Sequence, residues 1–339
     1  RKVYLYSLVA KTIAIVAVLF AQSFLFVLVG FLALGVARAL SSGTMDAWFV
    51  DEFNRAEPEG DLQRALAVVG VFIPVGLGIG SVIGGVLPQI LGRVLERSRY
   101  LDLYSSNLLA MALFVGIQMI FTLLAIKDHH VPERDTEGIS GFRRLSHILG
   151  SSITYGVKNR VVLLLLVSTA ALGIALSGLE NFWQPQLKGI LAGEFKTWLF
   201  GVLSAGYFLS ASVGNLIVTP ICRLFDNRYA VILFASRICM GAIWFVLALQ
   251  TTFQGFAVFY IVIFLFNGIS TSPHAAIMNR EIPSTKRSTL LSFESLVLQS
   301  GAVIGSIFMG FVSKSRITAG KAAARPRGFQ PGSATCAGR

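Results

Sequence analysis

Apolar residues fall in long blocks along most of this 339-residue chain, with short polar stretches between them. The blocks read VYLYSLVAKTIAIVAVLFAQ, FLFVLVGFLALGVARAL, ALAVVGVFIPVGLGIGSVIGGVLP and LLAMALFVGIQMIFTLLAI. Further on come VVLLLLVSTAALGIALSGL, WLFGVLSAGYFLSASVGNLIV, AVILFASRICMGAIWFVLAL, FAVFYIVIFLFNGISTSPHAAI and LLSFESLVLQSGAVIGSIFMGFV. Each is close to the roughly 20 residues that a helix needs to cross a bilayer. The pattern predicts nine transmembrane helices. That is too many for a signal peptide plus an anchor, so the fold class is an all-α polytopic membrane protein.

Composition agrees. The chain is 54% hydrophobic and 14% charged, where soluble domains carry about 25% charged residues. Its net charge of +12 could suit nucleic acid, but membrane topology accounts for it better, because basic residues collect on the cytoplasmic side. Counting Lys and Arg in alternate loops, and leaving the tail after residue 313 aside, gives fifteen on the side of Arg1 and Lys2 against five on the other. The N-terminus is therefore expected in the cytoplasm, in a multi-pass protein of the inner or plasma membrane. The cluster Arg93, Arg97 and Arg99 runs against the rule, diluted by Glu96 and Asp102. Cys222, Cys239 and Cys336 form no spaced pair and suggest neither a disulfide framework nor a zinc site.

An internal repeat adds to this picture. Shifted by 225 residues without a gap, NRAEP (54–58) falls on NREIP (279–283), and GLGIGSVIGG (76–85) falls on GAVIGSIFMG (301–310). Eleven of 46 positions in 40–85 are identical. Repeats of like orientation imply an even number of helices per unit. Two halves related by an axis along the membrane normal, with substrate bound between them at midplane, are a transporter architecture. The tail KSRITAGKAAARPRGFQPGSATCAGR holds no apolar run where the shift would place one. It is read either as the non-native, frame-shifted end of a truncated product or as a natural disordered extension.

These features resemble the major facilitator superfamily, and within it the drug:proton antiporters. RKVYLYS is similar to the end of the family's loop between its second and third helices, with only the basic pair Arg1 and Lys2 present. LGVARALSSGT resembles the fourth-helix arginine motif, with Arg38 in the arginine position and Ser42 where glycine is usual. GSVIGG (80–85) is similar to the fifth-helix antiporter motif, except that Ser81 replaces its proline. GLENFWQPQL and IPSTKRSTLLSFESL also read like this family, and the resemblance covers residues 1 to 313. It implies a bundle of two six-helix halves, here lacking two helices at the front and one at the back. Residues 1–126 would hold family helices three to six, 127–160 a cytoplasmic linker, 161–313 helices seven to eleven, and 314–339 a disordered tail.

Candidate chemistry lies in the few charges inside spans. Arg38 sits where a charge costs about 2.5–3.5 kcal/mol on insertion scales, so it is expected to face a cavity or a partner. Asp46 follows about 12 Å along a helix axis and roughly 80° around. Proton coupling needs a carboxylate that can be protonated within the membrane, for which Asp46 and Glu180 are the candidates. Glu180 with Trp183 would suit a cationic amphipathic drug; equally, Trp183 could be an interfacial belt residue. The resemblance makes Arg1, Lys2 and Asp51 (or Asp46) a conformational latch, while Asp51 and Glu52 could simply be solvated at the span end. For Arg237 and Lys11, snorkelling to the interface is the stronger reading.

Gly76, Gly80 and Gly84 line one helix face, as close packing of transmembrane backbones requires. The resemblance gives this motif, with Ser81 and Gly85, a role in an interface that governs conformational state. In the linker, Phe142, Leu145, Ile148 and Leu149 are spaced for a surface amphipathic helix. His129 and His130 read as solvated. Nothing suggests catalytic residues, a cofactor or a metal, and the expected partners are lipid, a small-molecule substrate and protons, with no nucleic acid and a monomeric state. The leading reading is a proton-driven exporter of small amphipathic compounds; the alternatives are a metabolite facilitator or importer, or a non-transporting fragment.

Overall fold

A computed structural model describes residues 1–41, 44–57, 62–96, 101–126, 150, 153–191 and 196–323. Ten helices organise them: α1 Lys2–Leu19, α2 Phe24–Ser41, α3 Thr44–Ala56, α4 Leu62–Leu87, α5 Ser105–Ala125, α6 Arg160–Ile190, α7 Thr197–Leu224, α8 Tyr229–Ala248, α9 Phe253–Glu281 and α10 Ser284–Ala323. Among the described residues, all but α3 contribute one span each long and apolar enough to cross a bilayer, nine in total, as the hydropathy pattern predicts. The helical state follows from the solvent, since hydrocarbon offers nothing to bond backbone N–H and C=O groups and a helix satisfies them within itself. Large apolar side chains face outward from these helices, Phe24 at 80%, Phe245 at 79% and Phe311 at 71% exposure. In water such a surface would be a liability; against lipid it is solvated.

Pro74, Pro185, Pro220 and Pro273 lie inside α4, α6, α7 and α9. Pro88 has a larger effect. Its missing N–H coincides with a π-helical stretch, Pro88–Gly92, which carries α4 into a last α-turn, Arg93–Leu95. Gly92 closes that stretch beneath the returning chain, where a Cβ would stand 2.9 Å from Leu103 Cδ1. Between α7 and α8 the chain reverses through Asp226 and Asn227, with φ of 51° and 57°. Asp and Asn tolerate this left-handed region better than other side chains do.

The chain forms two compact units, Arg1–Glu137 with Lys188–Ala276, and Gly138–Leu187 with Ile277–Arg339. In the first unit, α1 packs on α5 through Tyr4, Leu8, Ile15 and Val115. Gln118 Nε2 donates to Tyr4 Oη at 2.5 Å across that seam. Val218, Cys222, Ile232 and Ile269 join α7, α8 and α9, and Ser210 Oγ donates to the Ile261 carbonyl at 2.8 Å. In the second unit, α6 and α10 pack together, braced by the helical segment 153–158. Tyr155 Oη donates to the Glu281 carbonyl at 2.8 Å and Asn159 Nδ2 to Glu281 Oε2 at 3.3 Å. Asn159 Oδ1 also accepts from the Val161 and Val162 amides, at 2.9 and 3.2 Å, and so caps α6.

Two helices run further than the apolar pattern marks. α6 continues past residue 180 to Ile190 and takes ENFWQPQL into the helix. α10 continues past residue 313 to Ala323, so the first ten residues of the expected disordered tail are helical. SKSRITAGKAA is rich in residues that favour helix, and the next proline comes only at Pro326. The rest of that tail, residues 324–339, and the predicted amphipathic helix with Phe142, Leu145, Ile148 and Leu149 lie outside the described residues, as do His129 and His130.

Candidate functional site

The antiporter-like segment of α4 presents two faces with different surroundings. On one face, a Cβ at Gly85 would stand 2.8 Å from Gly201 Cα and 3.0 Å from the Thr197 carbonyl oxygen of α7. Reciprocally, a Cβ at Gly201 would stand 3.0 Å from Gly85 Cα and would meet the Ser81 carbonyl. Only glycine at both positions allows this backbone contact. Gly78 continues the face toward Ala205 and Leu209. Ser81 Oγ donates to the Leu77 carbonyl within α4 at 2.8 Å.

The other face differs from the close packing expected of its four-residue spacing. Among the described residues, a Cβ at Gly76 or Gly80 would meet nothing within 4 Å, and one at Gly84 would meet Asn107 Nδ2 alone. These glycines line a groove of about 440 Å³ against α5, with Ile79, Ile83, Ala110, Met111 and Phe114. Asn107 Nδ2 donates to the Gly84 carbonyl at 2.9 Å across it. The close approach of backbones therefore belongs to Ser81 and Gly85. The face of Gly76, Gly80 and Gly84 looks into the groove.

In the second unit, the repeat-related glycines of α10 are tightly packed. A Cβ at Gly301 would stand 3.2 Å from Ala170 Cα, and one at Gly305 2.8 Å from Ile174 Cα. A Cβ at Gly173 would stand 3.1 Å from the Ala302 amide nitrogen. Asn181 Nδ2 reaches Ser306 Oγ at 3.2 Å, and Thr169 Oγ1 reaches Glu294 Oε1 at 3.3 Å.

The charged candidates are distributed as follows. Arg38 is exposed in the last turn of α2, its carbonyl accepting from Ser41 Oγ at 3.1 Å. Asp46 and Asp51 lie on α3, but their side chains are outside the described residues, as are residues 42–43 on the path from Arg38 to Asp46. Glu52 pairs with Arg55 at 2.9 Å, one turn along α3. Arg1 Nη1 donates to the Ile126 carbonyl at the C-terminus of α5, at 3.3 Å, while Lys2 is exposed. A cation at a helix C-terminus meets the negative end of its dipole.

Glu180 is exposed on α6, whereas Trp183, one turn on, is buried at 7%. Arg237 is half-buried on α8, with its Nε and Nη1 atoms covered. Glu294 is a further candidate that the sequence reading missed. It lies inside the Leu290–Ser313 span and is half-buried there. The signal was available, since it is the only acid in that span.

Nine spans, small-residue seams between helices and a few embedded charges define a polytopic membrane protein of transporter type. A family model described as Major Facilitator Superfamily matches residues 1–306, and the chain belongs to that superfamily. It is accordingly a multi-pass membrane transporter whose partners are the bilayer and a small-molecule substrate. A search of curated proteins finds no match. Among solved structures, the chain is similar to a bacterial homologue of the human lysosomal transporter Spinster, crystallised in an inward-facing and unoccupied conformation. The TM-score is 0.66 at 15% identity, covering 92% of this chain and 68% of that one. At that identity the likeness concerns the fold.

Proposed function

We propose that the protein is a proton-coupled secondary transporter that exports small amphipathic compounds by alternating access, as a monomer in the cell membrane with its N-terminus in the cytoplasm. The observation that carries this reading is the presence of carboxylates inside spans of a superfamily transporter: Glu180 on α6, and Glu294 bonded by Thr169. A carboxylate in a span is costly when charged and is relieved by protonation, which lets a conformational change drive uptake and release of a proton. In this scheme Asp46 is a third candidate, Arg38 stabilises the charge balance around it, and Arg1, Lys2 and Asp51 latch one conformational state. The Gly85–Gly201 contact is the seam on which α4 and α7 lock, which supports the interface role of the antiporter-like motif.

The experiment is substrate-driven proton flux in proteoliposomes. The expected result is acidification coupled to substrate movement, lost in Glu294→Gln and in Glu180→Gln together with Asp46→Asn. A second reading, a facilitator or importer of a metabolite, draws support from the structural neighbour, which is a homologue of a lysosomal transporter. Transport unaffected by a protonophore would favour that reading and overturn proton coupling.

A further inference from the structure

The 225-residue repeat lays the contact face of α10 on the groove face of α4. Gly301, Ala302, Gly305, Ser306 and Met309 have as their mates Gly76, Leu77, Gly80, Ser81 and Gly84. In the second unit, α6 covers this face. Ala170 and Ile174 lie against Gly301 and Gly305, and a Cβ at Gly173 would stand 3.1 Å from the Ala302 amide nitrogen. A Cβ at Gly178 would stand 3.2 Å from Met309 Cε, and Asn181 Nδ2 donates to Ser306 Oγ at 3.2 Å. Gly301 and Gly305 are buried as a result, whereas Gly76, Leu77 and Gly80 are exposed.

The two faces also agree in length. The groove runs along α4 from Gly76 to Leu87, about 16 Å of helix, and α6 touches α10 over the same interval, from Ala170 to Asn181. Glycine inside a helix costs about 0.5–1 kcal/mol relative to alanine, a cost that acyl chains do not require. A second helix does require it, since only small residues let two transmembrane backbones approach closely. Ser81 Oγ donates to the Leu77 carbonyl within α4, which leaves its lone pairs able to accept a further bond. Its mate Ser306 accepts such a bond from Asn181.

We propose that the groove between α4 and α5 is the seat of a further transmembrane helix that lies on α4 as α6 lies on α10. Its face matches that of α6: small residues at the places of Ala170, Gly173 and Ser177, and an amide donor at that of Asn181. The small residues close on Gly76 and Gly80, and the amide bonds Ser81. Met111 and Phe114 of α5 form the opposite wall and pack along the flank of the incoming helix. The proposal concerns packing in the first unit and does not depend on the transport reading.

The probe is a synthetic peptide with the sequence of α6, residues 160–190, mixed with the full chain in phosphatidylcholine nanodiscs. The chain carries Leu77→Cys, at an exposed position, together with Cys222→Ala, Cys239→Ala and Cys336→Ala. Since Gly173 meets Ala302, the mate of Leu77, a peptide with Gly173→Cys should form a disulfide with the chain. It should do so about tenfold faster than a peptide with Leu164→Cys, on the outward side of α6, because a disulfide needs Cα atoms within about 7 Å. Adding Gly80→Leu to the chain should slow the joining about tenfold or more by filling the seat. Gly76→Leu replaces it if Gly80→Leu alters the unfolding midpoint of the chain alone. Equal rates for the two peptides leave the groove to lipid chains and overturn the proposal. So does joining that both leucine substitutions leave unchanged, which would mark random lateral contact. Disulfide-linked pairs of chains that form with no peptide and disappear with Gly80→Leu assign the groove to a second copy and overturn it as well.

Discussion

The helices α4 and α10 are related by the 225-residue repeat, yet their glycines are used in opposite ways. Gly301 and Gly305 of α10 lie against Ala170 and Ile174 of α6, while their mates Gly76 and Gly80 look into a groove. Conversely, Gly85 of α4 lies against Gly201, while a Cβ at its mate Gly310 would meet nothing within 4 Å among the described residues. One sequence pattern thus carries two packing faces, and each copy fills a different one. A glycine in a span reports that a backbone approach is permitted, and the neighbouring helix decides whether it is made.

Matched substitutions at repeat-related positions test that difference, beginning with the largest effect. Gly305→Leu should destabilise by about 1–3 kcal/mol or more, because the side chain would drive into the α6 backbone. Its mate Gly80→Leu, projecting into the groove, should stay within about 0.5 kcal/mol. Thermal unfolding in detergent reads both, and equal losses would mean that the Gly80 face is covered by a helix in the folded protein.

Next in size is Gly85→Val against Gly310→Val. The first inserts two methyl groups into the contact with Gly201 and should cost about 1–3 kcal/mol, with reduced transport, while the second should be nearly silent. A silent Gly85→Val would remove the seam between α4 and α7 from the account. The smallest contrast is Ser306→Ala against Ser81→Ala. Ser306 bonds across helices to Asn181, whereas Ser81 bonds within its own helix. Interhelical bonds of this kind average about 0.6 kcal/mol, so Ser306→Ala should lower the unfolding midpoint slightly and Ser81→Ala should leave it in place. Reversal of that order in matched melts would break the comparison.

Much of the fold was legible because hydropathy is a one-dimensional property. Each span is apolar along its whole length whatever it packs against, so nine spans and the repeat can be read by counting and sliding. The candidate site was less legible. Arg38 and Glu180 could be named as embedded charges, but the burial of Trp183 beside an exposed Glu180 depends on which side of α6 is covered. Glu294 and Thr169 are 125 residues apart and meet only because α6 and α10 pack closely. Asn159 reads as an ordinary loop residue until its side chain is seen to cap α6 and hold Glu281.

By itself, the sequence determined that this is a polytopic helical membrane protein with two related halves, because bilayer thickness and backbone hydrogen bonding leave helices as the solution for its apolar blocks. Tertiary structure alone decided which glycine faces close on a neighbour and which side chains inside the spans are buried. Inside a bilayer, lipid and protein are equally apolar to a side chain. Hydropathy therefore cannot distinguish the face that meets a helix from the face that meets lipid, and contact geometry makes that choice.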